Sequence, residues 1–342
     1  MIKHQPTAIL KGLNDSFLHK SRHIKHYSSV VLKKPTFPHV SSTSSPDKSQ
    51  PTSIAANENC KPELVLFSDT VLTPLRYSFG EILTKILPDY CVGSTLPAEF
   101  LTSAWNTFLK NYTEHAPALY RPGQSVTEEA HERWHLAALS EFVSQLAGTG
   151  VVPADRYSGA KLVHRVYRNL QNGKSHFIPR DAALLLDALK TAHVRYGVIT
   201  NWGPGYPEML RELARRFRHK SYLHIGQHGS RSPLIPIVNA SESGIAKPSP
   251  EIFRLAMKRL QPKDLSRVYY VGTDLDLDYA PAMSAGLKSV LLTRGFDQPT
   301  SDVLKKSGEE LMNLKSIRIK QLMELQTVFF NNKSPLDHQW SI

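Results

Sequence analysis

The sequence has only two cysteines, Cys60 and Cys91. They show neither metal-ligand spacing nor a disulfide framework, which excludes a cysteine-stapled fold and fits a reducing compartment. Long apolar runs are lacking too. None approaches the roughly 18–20 residues that a helical membrane span needs. Acids are scarce at one end: residues 1–50 hold eight bases (Lys3, Lys11, Lys20, Arg22, Lys25, Lys33, Lys34, Lys48) and two acids (Asp15, Asp47). This tail therefore carries +6 of the formal net charge of +12. Half of the excess positive charge thus sits in a short tail, and nucleic-acid binding by the rest of the chain is not expected. The basic string "RRFRHK", Arg215 to Lys220, reads as the solvated face of a helix.

The tail is rich in Lys, His and Ser, and Ile9, Leu10, Leu13 and Phe17 fall on one face of a helical projection. Such a composition is that of a mitochondrial transit peptide, and "KHYSS" at Lys25 to Ser29 is similar to a matrix-processing site. A single arginine, Arg22, is fewer than such peptides favour. The expectation is a mitochondrial matrix protein, the alternative a disordered extension on a cytoplasmic or nuclear one. Ser41 to Asn57 has a linker's composition, so residues 1–60 are set aside as a tail.

What is present begins at Leu64. Apolar residues make up 41% of the chain, enough for a packed core. "LVLF" is a short apolar run that suits a buried strand. Residues 81–177 are mainly helical in pattern. In "EEAHERWHLAALSEFVSQLAG", Trp134, Leu136, Leu139, Phe142, Val143 and Leu146 recur at helical spacing. After Pro179 helices and strands alternate. "RDAALLLDALKTAH", "YPEMLRELARRF" and "SPEIFRLAMKRL" are helices, the last opened by the Ser249–Pro250 pair; "APAMSAGL" starts another. "RYGVIT", "RVYYVG" and "KSVLLT" are strands. This alternation predicts an α/β, three-layer, doubly wound parallel sheet. Residues 61–80 and 178–300 supply its core, residues 81–177 an inserted helical domain, and residues 301–342 a C-terminal helical segment.

Such sheets bind ligands at the carboxyl ends of their strands. Three strand exits carry polar groups: Ser68 and Asp69; Thr200, Asn201 and Trp202; and Thr273, Asp274, Asp276 and Asp278. Lys247 lies between the last two, in "GIAKPSPEIF". A carboxylate, a hydroxyl, an ammonium and an acidic loop at one sheet edge are the components of phosphoryl transfer. The acidic loop, with Asp69, Asp274 and Asp278 as oxygen ligands, would hold magnesium.

From Leu64 to Thr293 the order of these segments resembles the haloacid dehalogenase-like (HAD) hydrolase superfamily, through "GVITN", "KPSPEIF" and "VGTDLDLD". Within it, "HERWHLAAL", "SESGIAKPSPEIF" and "VGTDLDLDYAPAMSAGL" most resemble the subgroup called haloacid dehalogenase-like hydrolase domain-containing protein 3. The resemblance implies a Rossmannoid core, a helical cap formed by the insert, Thr200 and Lys247 as phosphate-site residues, and Asp69 as nucleophile. Ser68, Asn201 and Trp202 would then line the pocket.

The first motif departs from the family's D-x-D-G-T. Counted from Asp69 it reads D-T-V-L-T, with Val71 at the acid–base position and Leu72 at the hinge glycine. Counted from the strand end, Ser68 takes the nucleophile position; a third alignment deletes residues after Asp69. All three lack the general acid, a group worth 10²–10⁴-fold in rate, about 3 to 5 kcal/mol. In the fourth motif Thr273 replaces a metal carboxylate, and Asp278 matches the second acid. Asp274 and Asp276 are one step out of register.

The expectation is thus a HAD-like protein with a degraded phosphatase site, catalytically weak or silent, acting as a binding or assembly module for a protein partner or small phosphorylated ligand. The alternatives are a magnesium-dependent phosphatase with Asp69 as nucleophile and, third, a metal-independent dehalogenase-type hydrolase. His131 and His135 lack a third metal ligand and read as a surface pair. "HIGQHGSR", His224 to Arg231, reads as a surface insertion.

Overall fold

The computed structural model describes residues 61–90, 96–116, 118–148, 156–216, 235–294 and 317–330. The expectations for the tail, both cysteines and the His224–Arg231 loop lie outside these residues. The chain divides into two units, Met1–Glu58 and Asn59–Ile342, and the described residues all belong to the second.

The unit opens with β1 (Leu64–Ser68), which runs into the one-turn α1 (Asp69–Leu72). Four helices follow: α2 (Phe79–Ile86), α3 (Ala98–His115), α4 (Glu128–Ala147) and α5 (Arg156–Gln171). The chain then returns through α6 (Arg180–Thr191), β2 (Arg195–Thr200), α7 (Tyr206–Arg216), β3 (Ile237–Asn239) and the short α8 (Ala240–Ser243). Next come α9 (Pro250–Leu260), β4 (Val268–Gly272), a π-type turn at Leu275–Tyr279, α10 (Ala280–Ser284) and β5 (Lys288–Leu292). β6 (Ile317–Ile319) and α11 (Glu324–Phe330) end the described chain.

The strands form one sheet in the order β3-β2-β1-β4-β5-β6, every pair parallel. β1 is central, and all five of its residues are buried. Its side chains alternate. Val65 and Phe67 pack with α6, α7 and α11, while Leu64 and Leu66 pack with α9 and α10 on the other face. A helix layer on each face produces the three-layer, doubly wound architecture. The winding runs outward from β1 to β3, then resumes on the far side at β4. The topological switch point therefore falls between β1 and β4, where open sheets of this kind leave a crevice.

Helix boundaries follow local chemistry. Ser78 and Glu81 form a reciprocal capping box at α2. Ser249 accepts from the Glu251 amide, with Pro250 at the first helical position of α9. The α2–α5 insert has an aromatic core of its own. Phe79 stacks on Trp105 at 4.5 Å between centroids, and Phe142 meets Trp105 edge-on at 5.2 Å.

Two strands depart from the sequence pattern. Ile317–Ile319 pairs with β5, so the sheet continues into the segment read as helical, and the final helix starts only at Glu324. Ile237–Asn239 adds the opposite edge. Each has three residues, too few to display an alternating pattern.

Candidate functional site

Lys247 is the centre of the crevice. Its backbone is fixed by Asn201: the Lys247 amide donates to Asn201 Oδ1 at 2.8 Å, and Asn201 Nδ2 donates to the Lys247 carbonyl at 2.8 Å. The exit of β2 thus holds the lysine loop in place, and the side chain turns inward. Its ammonium donates to Ser68 Oγ at 2.8 Å and to Asp278 Oδ1 at 2.8 Å, with Asp69 Oδ1 at 3.3 Å and the Tyr270 hydroxyl at 3.5 Å. The side chains of Lys247 and Asp278 are 5% and 2% exposed, so this is a buried ion pair.

Asp278 is saturated. Besides Lys247, it accepts from the Tyr270 hydroxyl at 2.7 Å and from the amides of Thr273 and Asp274 at 3.1 and 3.3 Å. Gly272 lets it approach, since a Cβ there would lie 2.2 Å from Asp278 Cβ. Burial raises the carboxyl pKa of Asp278, but Lys247, Tyr270 and the Thr273 amide outweigh it and hold it below the usual carboxylate value. Burial likewise pulls the Lys247 ammonium down, and its attraction to Tyr270, Asp278 and Asp69 more than offsets this, leaving it well above the usual lysine value. The lysine is therefore charged and is no general base.

The β1 exit separates Ser68 from Asp69. Ser68 is the last strand residue, fully buried, and pairs with Ile199 of β2, one residue before Thr200. Asp69 is already the first residue of α1, its side chain 14% exposed. Ser68, Thr70 and Thr273 come together at the exits of β1 and β4. Their hydroxyls form a chain: Ser68 Oγ lies 3.0 Å from Thr70 Oγ1, which lies 2.7 Å from Thr273 Oγ1.

The remaining sequence-derived residues have structural partners. Thr200 is buried and accepts from the Trp202 amide at 2.9 Å. Trp202 packs edge-on against His176 at 4.8 Å. Asp274 accepts from the Asp276 and Leu277 amides at 2.8 Å each and so caps its own π-turn. Tyr120, Tyr206, Tyr270 and Thr70 were not singled out by the sequence. The Tyr120 hydroxyl, from the insert, donates to the Asn201 carbonyl, and Tyr206 meets Thr73 Oγ1 at 3.3 Å. Burial raises all three phenols, which stay neutral donors. Strand-interior and loop tyrosines carry no linear pattern that separates them from packing residues.

Magnesium does not fit this donor set. It asks for about six oxygens, carboxylates among them. Asp274 caps its own turn, while Asp278 and Asp69 both face the Lys247 ammonium, which already supplies the positive charge between them. Among the described residues no group of three His, Cys, Asp or Glu side chains could hold a metal ion.

His131 is a correction to the surface reading. It is 4% exposed, and its ring lies against Gly203, where a Cβ would sit 2.7 Å from Nδ1. Burial, with His135 beside it, pushes its pKa down to about 3. The folded state thus favours neutral His131, whose stabilisation is complete above the unfolded value near 6.5 and is lost as pH falls towards 3. Urea melts at pH 5 should show a loss of about 2 kcal/mol or more relative to pH 7.5, reduced in His131→Phe, where only His135, also held down by burial, remains.

A HAD-hydrolase-like family model matches residues 244–312, the segment that carries Lys247, β4 and Asp278. No curated protein sequence is detectably similar to the chain. Among solved structures, YfnB of Bacillus subtilis, described as a HAD-hydrolase and bound to magnesium, aligns with a TM-score of 0.53 at 15% identity, over 79% of this chain and 99% of that one. A dehalogenase aligns at 0.52 with 18% identity, over 78% and 96%. The L-2-haloacid dehalogenase RSc1362 aligns at 0.50 with 15% identity, over 79% and 99%. Identities this low speak for fold alone. The fold is that of the HAD-like hydrolases.

Proposed function

We propose that this chain is a catalytically silent member of the HAD-like fold, retained as a binding or assembly module. The observation that carries the reading is the chain of linked hydroxyls of Ser68, Thr70 and Thr273 at the strand exits, where the pattern of the family it resembles calls for carboxylates. None of the three can attack phosphorus as a carboxylate would, and Thr70 cannot serve as a carboxylic acid for the leaving group. Helices α2–α5 act as the cap of this module, with Tyr120 and His131 reaching the β2 exit. The finer kinship is with the domain-containing protein 3 subgroup, and the basic tail directs the protein to the mitochondrial matrix. A protein partner is the favoured ligand.

The second reading, a magnesium-dependent phosphatase, draws on Asp69, whose Oδ1 lies 3.3 Å from Lys247 Nζ. A general phosphate ester assayed with and without magnesium separates the two. No turnover above that of the Asp69→Asn variant is expected. Magnesium-dependent turnover that Asp69→Asn abolishes would establish the phosphatase instead.

A further inference from the structure

The hydroxyls of Thr70 and Thr273 meet across the β1–β4 switch point, 2.7 Å apart. They join two strand exits that are not consecutive in sequence. The chain of contacts continues inward from Thr70 through Ser68 to the Lys247 ammonium, at 3.0 and 2.8 Å. A hydroxyl both accepts and donates, so Lys247 donates to Ser68, and the Ser68 proton has Thr70 Oγ1 at 3.0 Å and Asp69 Oδ1 at 3.4 Å as acceptors. A carboxylate at any of the three hydroxyl positions would be acceptor-only, and two carboxylates in the place of Thr70 and Thr273 would require a cation between them.

We propose that this hydroxyl staple, together with Lys247, stands in for a divalent cation at the mouth of the crevice, making it a metal-independent site that excludes phosphorylated ligands. The proposal deepens the silent-module reading and rests on it for the use of the crevice as a binding site. Its charge argument is local. Lys247 is matched by Asp278 and by Asp69, so the three groups sum to one net negative charge. The ammonium's protons are directed to Ser68, Asp278 and Asp69, leaving none for a phosphate oxygen. A dianion entering here would meet Asp69 without a metal or a free ammonium to offset it. The crevice instead suits neutral or cationic groups, with the exposed Thr70 as a hydroxyl contact.

The test is a thermal-shift and calorimetric titration of the full chain with magnesium chloride and, separately, with inorganic phosphate. Millimolar concentrations of either should leave Tm unchanged and give no saturable heat. A saturable Tm rise with magnesium, or with phosphate in the absence of metal, overturns the proposal. Thr70→Asp/Thr273→Asp should gain a magnesium-dependent Tm rise of several degrees, or fold only with magnesium. A folded double variant indifferent to magnesium would show that the staple does not mark a cation position. Thr273→Val, which breaks the staple without adding charge, should lower Tm with no gain of metal response; an unchanged Tm removes the staple's structural role. Failure here is separable from failure of the silent-module reading. Metal-free turnover would overturn that reading alone, and magnesium binding without turnover would overturn this proposal alone.

Discussion

Lys247→Met should destabilise the folded chain by about 3–5 kcal/mol, because it leaves Asp278 buried and charged without its cation. The remaining Tyr270 hydroxyl and two backbone amides satisfy hydrogen bonds but supply no net positive charge. Adding Asp278→Asn should restore much of the loss, since an amide oxygen can keep the backbone donors while removing the unpaired charge. A double-mutant cycle read by urea denaturation would therefore show strong coupling. The effect also has a pH signature. Asp278 has a depressed folded pKa, so its stabilisation is present above the unfolded carboxylate value and is lost as pH falls through the folded one. Lys247 has a raised folded pKa, so its share is complete below the unfolded lysine value and is lost only as pH rises through the folded one. The difference between native protein and Lys247→Met should accordingly be level through neutral pH and shrink in acid, as Asp278 becomes protonated. A single variant with unchanged stability at pH 7 would refute the buried pair as the keystone of the crevice.

Gly244→Ala should cost about 3 kcal/mol and loosen the insert from the core beside Lys247. Gly244 has φ of 66°, the left-handed region that disfavours a side chain. A Cβ there would also fall 1.7 Å from the Arg121 carbonyl oxygen and 2.6 Å from that of Gln124, both backbone atoms that cannot rotate away. The segment that must retreat is held by Gly123 and Val126, whose amides donate to the carbonyls of Ser243 and Ser241 at 3.0 and 2.7 Å. It also follows directly on Tyr120, whose hydroxyl reaches Asn201. Amide hydrogen exchange should rise selectively over residues 121–126, while β1 and β4 stay protected. Uniform loss of protection would mean global unfolding instead, and unchanged exchange would mean that the loop does not depend on this glycine.

Much of the architecture was legible in the chain because its strands and helices differ in period. "LVLF", "RYGVIT", "RVYYVG" and "KSVLLT" are each long enough to show continuous burial, and the helices between them show stripes of apolar residues. β3 and β6 escaped for want of length: three residues at a sheet edge acquire their identity from the neighbour they pair with. The candidate site was legible as an inventory. Ser68, Asp69, Lys247 and Asp278 do meet, as the shared strand exits of a parallel sheet require.

Their roles were not legible. Ser68 and Asp69 differ by a single step at a strand end, and only the structure shows that β1 stops at Ser68 and α1 begins at Asp69. Asp274 looked like a metal ligand until its carboxylate was found capping the turn that follows. Tyr270 entered only through burial beside Lys247. By itself, then, the sequence determined a parallel α/β fold and which residues gather at its crevice, because period and element order constrain both. Only the tertiary structure decided how hydroxyls, carboxylates and the buried Lys247 partner each other there, because hydrogen bonds between distant strand exits depend on ångström-scale direction that no linear pattern encodes.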